Sequence, residues 1–235
     1  MEVPVIILQN VCRRGGITVK QGDYSIHSFS VKLGSWLGGV SNQPEKSPVF
    51  AYGAEIILGA IVKILVFIAV GAILDILPIL AVMVIASGSL RLVAGGAHCT
   101  AFYRCLIFSL VTYVALGLFL DWQTAFLTGL STRALIIPLL LCLILNLRWA
   151  PCSPDNKPLS GESDILSRKI GAVLICVAFS LIVILVGASQ WWVWAVITGM
   201  LSESLTLTPG GEWFVACCDK TLIVEFQRKE AESHG

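Results

Sequence analysis

The chain has 235 residues, of which 56% are hydrophobic and only 13% are charged, and its formal net charge is +1. A soluble domain carries about 25% charged residues, so this composition indicates a protein that crosses the lipid bilayer several times. The near-neutral charge gives no electrostatic basis for binding nucleic acid. Eight scattered cysteines without a CxxC pair predict neither a disulfide-rich secreted fold nor a zinc site.

The fold class predicted is an all-α polytopic membrane bundle of about six spanning helices. Residues 1–50 are expected to form an N-terminal cytoplasmic or interfacial segment, residues 51–209 the membrane domain, and residues 210–235 a cytoplasmic tail. The start of the chain, Met1 to Val11, is apolar but has no basic region and no small-residue cleavage site, so a signal peptide is not expected.

Six apolar segments are long enough to be candidate spans. Very short breaks at Asp75 and at Ser189–Gln190 predict tight helical hairpins, and a third turn is expected near Asp121. The predicted spans are about Ile56–Leu74, Ile76–Leu90, Cys105–Leu120, Phe126–Leu147, Ile170–Ala188 and Trp191–Leu207.

Lysine and arginine alternate between the connecting segments. The turns at Asp75, Asp121 and Gln190 carry none, whereas the other segments carry several. Because positive residues favour the cytoplasmic side, both termini and the connection after the second span are expected in the cytoplasm of a plasma-membrane protein. Lys63 and Arg133 fall inside predicted spans, where a charge indicates a functional residue, a snorkelling side chain or a misplaced boundary.

Two further segments have a clear composition. The fourth-to-fifth connection, residues 149–161, contains three prolines with Ser, Asp, Asn and Gly, which predicts a structured loop without a regular helix. The Trp191-Trp192-Val193-Trp194 cluster is expected at the outer membrane interface, where aromatic residues concentrate.

The connection after the second span contains the residues most able to do chemistry. His98 is one of only three histidines, and Cys105 follows it by seven residues. A thiol attacks as its thiolate, which an imidazole and nearby cations such as Arg91 and Arg104 favour. The alternative is that these cysteines have no chemical role and pack as small apolar residues, which is the expectation for Cys142 and Cys176 in mid-span.

Helix geometry constrains any pair formed by these residues. On a straight helix His98 and Cys105 would share a face but lie ~10.5 Å apart along the axis, beyond hydrogen-bond reach. A direct pair therefore needs a break, which Gly95-Gly96 could supply. Cys99 would point ~100° away from His98 and fits the pair less well. A zinc site from His98, Cys99 and Cys105 lacks a fourth ligand nearby.

Three motifs together resemble the accessory gene regulator B (AgrB) family, membrane cysteine endopeptidases that process quorum-sensing pheromone precursors. The motifs are Arg91 with Gly95-Gly96-Ala97-His98 and Cys105, the proline-rich stretch Ala150-Pro151 through Pro158-Leu159, and Tyr52-Gly53-Ala54-Glu55. The likeness covers roughly residues 29–209. Residues 1–27 have no recognised counterpart, Ala97 stands at a position that is often aromatic, and Cys99 at one that is often alanine.

The resemblance implies a mechanism and a substrate. Cys105 would be the nucleophile and His98 the general base, acting on an AgrD-like precursor peptide to release its charged tail and form a cyclic thiolactone or lactone. Arg91, Lys157 and Arg168, with Gly95 and Gly96, are the predicted substrate-binding residues. No metal or other cofactor is implied, a homodimer is expected, and no orienting carboxylate is identified.

A small transporter or a membrane interaction protein without covalent catalysis is the alternative. Lys63 and Arg133 would then line a substrate path. The chain shows no internal repeat between its halves, which weakens the transporter hypothesis.

Overall fold

The computed structural model describes the backbone of residues 25–97, 99, 102–152 and 162–233, with side chains for residues 28–97, 99, 102–152 and 163–221. Within these ranges the chain is helical and contains no β-strand, which confirms the all-α prediction. The helices are α1 (Ser25–Val40), α2 (Ser47–Ile73), α3 (Leu77–Ala94), α4 (Phe102–Thr128), α5 (Ile136–Trp149), α6 (Glu162–Val186), α7 (Trp191–Thr206) and α8 (Pro209–Ser233).

Five segments in the described part of the chain are long and apolar enough to cross a membrane. They are Pro44–Ile73, Leu77–Ala94, Phe102–Thr128, Thr132–Trp149 and Ser163–Val186. The predicted multi-span membrane protein is therefore confirmed. The sixth predicted span coincides with α7, whose 16 residues reach only ~24 Å.

The described residues from Ser25 to Asp75 belong to one compact unit, in which α1 packs along α2. Lys63 lies near the middle of α2, inside its apolar length, as predicted. Its side chain is half-buried, and its Nζ lies 6.0 Å from the centroid of the Phe67 ring, a distance at which a cation and an aromatic face attract.

The helices from α3 onwards form a second compact unit, with α7 at its centre. α7 packs against α3, α4, α5, α6 and α8. The backbone of Met83 on α3 lies against Gly199 on α7, so the two helices approach closely, as small residues allow in membrane bundles. The shared apolar core includes Leu90, Leu139, Cys142, Cys176, Val193, Val196 and Met200.

The tryptophan cluster forms the first turn of α7, and its position at the outer membrane interface stays a prediction. Trp192 and Trp194 pack against the core, and Trp194 Nε1 donates a hydrogen bond to the carbonyl oxygen of Ala188 at 3.1 Å. Trp191 is the exposed member of the cluster, at 39%. Two of the three rings therefore fill the bundle at the start of α7.

The predicted boundary between the third and fourth spans is wrong. Asp121 lies inside α4, which continues to Thr128 because neither glycine nor proline occurs between Asp121 and Gly129. The polar side chain of Asp121 is simply exposed on the helix surface. Arg133 consequently lies in a short 3-10 turn before α5, exposed at the end of that segment rather than within it.

The break between α3 and α4 is confirmed at the predicted glycines. α3 ends at Ala94, Gly95 and Gly96 have positive φ angles, and α4 begins at Phe102. At the same end of the bundle, α5 ends at Trp149 and is followed by a cis Ala150–Pro151 bond. Residues 153–161 of the proline-rich loop, which include Lys157, lie outside the described residues.

Much of the predicted tail belongs to α8. This helix packs against α4 and α7 and buries Val215 and Asp219. The division at residues 50 and 209 stays a prediction, whereas the contacts of the chain separate units at residue 75.

Candidate active site

Two glycines shape the loop that follows α3. Gly95 has φ +78° and Gly96 has φ +140°, conformations that residues with a side chain rarely adopt. Gly95 also pairs in parallel with Cys152, whose N–H donates a hydrogen bond to the Ala94 carbonyl at 2.8 Å. A Cβ atom at Gly95 would overlap the carbonyl oxygen of Cys152. This position therefore requires glycine, and the loop is fixed against the segment that follows α5.

Arg91 and Glu203 form a largely buried ion pair beside this loop. Arg91 Nη1 lies 2.8 Å from Glu203 Oε1 and 3.1 Å from Oε2, while Nη2 donates to the Ala97 carbonyl at 2.7 Å. The Glu203 side chain is only 4% exposed. A Cβ atom at Gly96 would lie 2.6 Å from Glu203 Oε1. One guanidinium group thus joins α3, α7 and the loop.

Glu203 is the carboxylate that sequence analysis did not identify. Its signal was present, because it is the one acidic residue in the predicted span Trp191–Leu207, and an ionisable residue within a span is a functional candidate.

Three consecutive polar residues of α7 each contact a different helix. Because buried polar groups require partners, this tripeptide fixes the positions of α3, α4 and α5 around α7. The contacts are Ser202 Oγ to Tyr113 Oη at 3.2 Å, Glu203 to Arg91, and Asn146 Nδ2 to Ser204 Oγ at 2.7 Å.

Cys105 lies in the first turn of α4 and is half-buried. Cys99 lies beside it, because the two thiols share a hydrogen bond that is the largest reason why the pKa of Cys99 is raised. Burial of Cys99 and the negative charges of Cys105 and Asp219 raise this pKa further, against a smaller opposing effect of Arg104. Cys99 therefore stays protonated near neutral pH and acts as the hydrogen-bond donor to Cys105.

A second buried ion pair lies next to Cys105. Arg104 Nη1 is 3.0 Å from Asp219 Oδ1, with side-chain exposures of 3% and 7%. Arg91 is also within electrostatic range of Cys105. The thiol pair is thus surrounded by charges from α3, α4 and α8.

The structure brings together some of the predicted site residues and not others. Arg91, Gly95, Gly96 and Cys105 gather around the loop between α3 and α4. Arg168 lies on α6, where it makes a more exposed 3.4 Å pair with Asp164. His98 and Lys157 lie outside the described residues. Within the described part of the chain, no cluster of three or more His, Cys, Asp or Glu side chains could hold a metal ion.

These features define an all-α multi-span membrane protein with a paired-thiol site at the connection between two helices. A family model described as accessory gene regulator B matches residues 27–207. The chain belongs to the AgrB family. The match includes the helices from α2 to α7 and ends before α8 begins at Pro209.

Similarity to individual proteins is more limited. A curated protein of Clostridium beijerinckii, described as AgrB-like, is 26% identical over 114 residues. The aligned region is 48% of this chain and 55% of that relative, so the chain spans about half the length of the relative. No solved structure matches the chain.

Proposed function

We propose that this chain is a membrane-embedded cysteine endopeptidase that removes the C-terminal tail of a quorum-sensing precursor peptide and promotes cyclisation of the remainder. The observation that carries the proposal is the environment of Cys105. This thiol is partly accessible, accepts a hydrogen bond from Cys99, and lies within electrostatic range of the guanidinium group of Arg91. Such surroundings favour a reactive thiolate.

In the proposed reaction, His98 takes the thiol proton of Cys105. The sulfur then attacks the carbonyl carbon that joins the pheromone segment to the tail. The C–N bond breaks, His98 returns the proton to the leaving amine, and a thioester to Cys105 remains. An internal Cys or Ser of the precursor then attacks this thioester, which releases the Cys105 sulfur and closes a thiolactone or lactone ring.

Cyclisation must be faster than hydrolysis of the thioester, so the site must limit the access of water. The ion pair of Arg91 with Glu203 supports this requirement, because it fixes the loop that precedes Cys105 at a site formed where helices meet. In this proposal Arg91 positions the loop. Lys157 and Arg168 are assigned to the acidic tail of the precursor.

The proposal includes topology and partners. Both termini and the loop between α3 and α4 are assigned to the cytoplasmic side, on the basis of the Lys and Arg distribution. The substrate is an AgrD-like precursor peptide that approaches from the membrane surface, and the working unit is a homodimer, as the family resemblance implies.

Cleavage of a tagged precursor tests the proposed function. The precursor is co-expressed with the unaltered chain and with the variants Cys105→Ala, Cys105→Ser and His98→Gln, and the tail fragment is followed on a gel. All three variants should lose cleavage by at least ~100-fold. Cys176→Ala is the matched control, because Cys176 is 1% exposed in the apolar core, and it should retain cleavage. Unimpaired cleavage by both Cys105 variants would exclude Cys105 as the nucleophile.

A further inference from the structure

We propose that Asp219 of α8 is a positioning residue for Cys105, so that the C-terminal helix beyond the family match forms part of this chain's active site. The inference rests on the proposed function, since it gives Asp219 a role in the reactivity of the same thiol. It assigns that role to a helix that begins at Pro209, after the last residue of the family match.

The contact between α8 and α4 lies at the turn that carries the nucleophile. Asp219 pairs with Arg104, the residue immediately before Cys105, at 3.0 Å. One turn further along α4, the ring of Phe108 meets that of Phe214 on α8 edge to face, with centroids 5.9 Å apart. A polar contact and an apolar contact therefore fix the first two turns of α4 against α8.

Burial makes the pair of Arg104 with Asp219 sensitive to the loss of either partner. Both side chains are more than nine-tenths buried, at 3% and 7% exposure. An unpaired charge in such a place is strongly unfavourable. Two apolar side chains would be enough to pack α8 against α4. A buried ion pair, in addition, fixes how the two helices are aligned along each other. The register fixed here is that of Cys105 relative to the loop.

The ion pair also balances the charge around the two thiols. Asp219 and Arg104 act on Cys99 with opposite signs, and Arg91 acts on Cys105. Glu203 of α7, which pairs with Arg91, is a further charge beside the same loop. Removal of Arg104 alone would leave the Asp219 carboxylate to oppose a thiolate, and removal of the carboxylate alone would do the reverse.

Four variants in the full-length chain test the inference. They are Asp219→Asn, Arg104→Gln, the double variant with both changes, and the exchanged pair Arg104→Asp with Asp219→Arg. Lys220→Gln is the matched control, because Lys220 is the exposed neighbour of Asp219 on the same helix. Two quantities are measured in membranes: the rate at which iodoacetamide alkylates Cys105, and the kcat and KM for the tagged precursor.

Opposite effects of the two single variants would support the inference. Asp219→Asn should speed alkylation of Cys105 by ~3-fold or more and Arg104→Gln should slow it by a similar factor, while the double variant returns near the original rate. Both single variants should lower kcat by at least ~10-fold with little change in KM, and the exchanged pair should recover part of that loss. Loss of packing alone would shift alkylation in the same direction in both single variants.

Values for Asp219→Asn and Arg104→Gln that match those of Lys220→Gln would overturn the inference. The two proposals fail separately. Persistent cleavage by Cys105→Ala would reject the proposed function. The alkylation rate of Cys105 in Asp219→Asn and Arg104→Gln would still test whether Asp219 acts on that thiol. Loss of cleavage in Cys105→Ala, with full activity in Asp219→Asn, would reject the role of Asp219 alone.

Discussion

Replacing Glu203 with glutamine should disable the site without removing any residue that touches the substrate. The amide keeps the shape of the side chain and one oxygen acceptor, but it loses the negative charge that faces Arg91. Arg91 would then retain its 2.7 Å bond to the Ala97 carbonyl and at most one hydrogen bond to the amide oxygen, in place of the ionic contacts at 2.8 and 3.1 Å. The loop before Cys105 would lose its main point of attachment to α7.

The size of the effect follows from burial. Glu203 is 4% exposed and the Arg91 side chain 27%, so solvent screens the pair weakly. Removal of one partner of a buried pair costs about 3 kcal/mol or more. If the whole cost appears as disorder of the loop, the fraction of molecules with an ordered site falls by about 150-fold, because each ~1.4 kcal/mol changes an equilibrium constant tenfold. Cleavage should fall by a similar factor.

The assay is tail release from the tagged precursor, with the thermal unfolding midpoint in detergent measured in parallel. Asp121→Asn is the matched control, because it makes the same chemical change on the exposed surface of α4 and should lower cleavage less than twofold. Arg91→Lys should be nearly as defective as Glu203→Gln, since an ammonium group does not reproduce the forked contact. Full cleavage by Glu203→Gln would refute the role given to the ion pair.

Three further results are expected. Gly96→Ala should lower the free energy of unfolding by about 2 kcal/mol or more, because a φ of +140° and a Cβ contact at 2.6 Å oppose a side chain. Gly88→Ala is the control for the same thermal unfolding assay. It should be neutral or stabilising, because no atom lies within 4 Å of a Cβ at Gly88. Because the pKa of Cys99 is raised, its thiolate forms only at high pH, so alkylation near neutral pH should label Cys105 and spare Cys99; mass spectrometry that finds equal labelling would contradict this. Trp194→Phe should lower the free energy of unfolding by ~1 kcal/mol, the worth of its 3.1 Å hydrogen bond, and an unchanged unfolding midpoint would show that this bond does not contribute.

Hydrophobic runs predict the helices of this protein well, and they predict their ends poorly. The all-α membrane fold and the break at Gly95-Gly96 follow from apolar length and from glycine. The turn expected at Asp121 does not form, because a polar residue near the end of a span is tolerated on an exposed helix face. Only Gly129 and the residues after it end α4.

The candidate site was predictable as far as its residues lie close together in the sequence. Spacing around the glycines led to Arg91 and Cys105. Glu203 and Asp219 each lie more than one hundred residues after the arginine with which they pair, and no local pattern relates them to the loop. Packing of α7 and α8 against the other helices brings them there.

The pairing of Gly95 with Cys152 has a consequence for protein engineering. The loop after α3 and the segment after α5 share a backbone hydrogen bond of 2.8 Å and a contact too close for any side chain. Each is therefore shaped by the other. Chimeras that transplant one of these connections from a relative should work poorly, and those that transplant both should work better, because the two connections form a single exchangeable module.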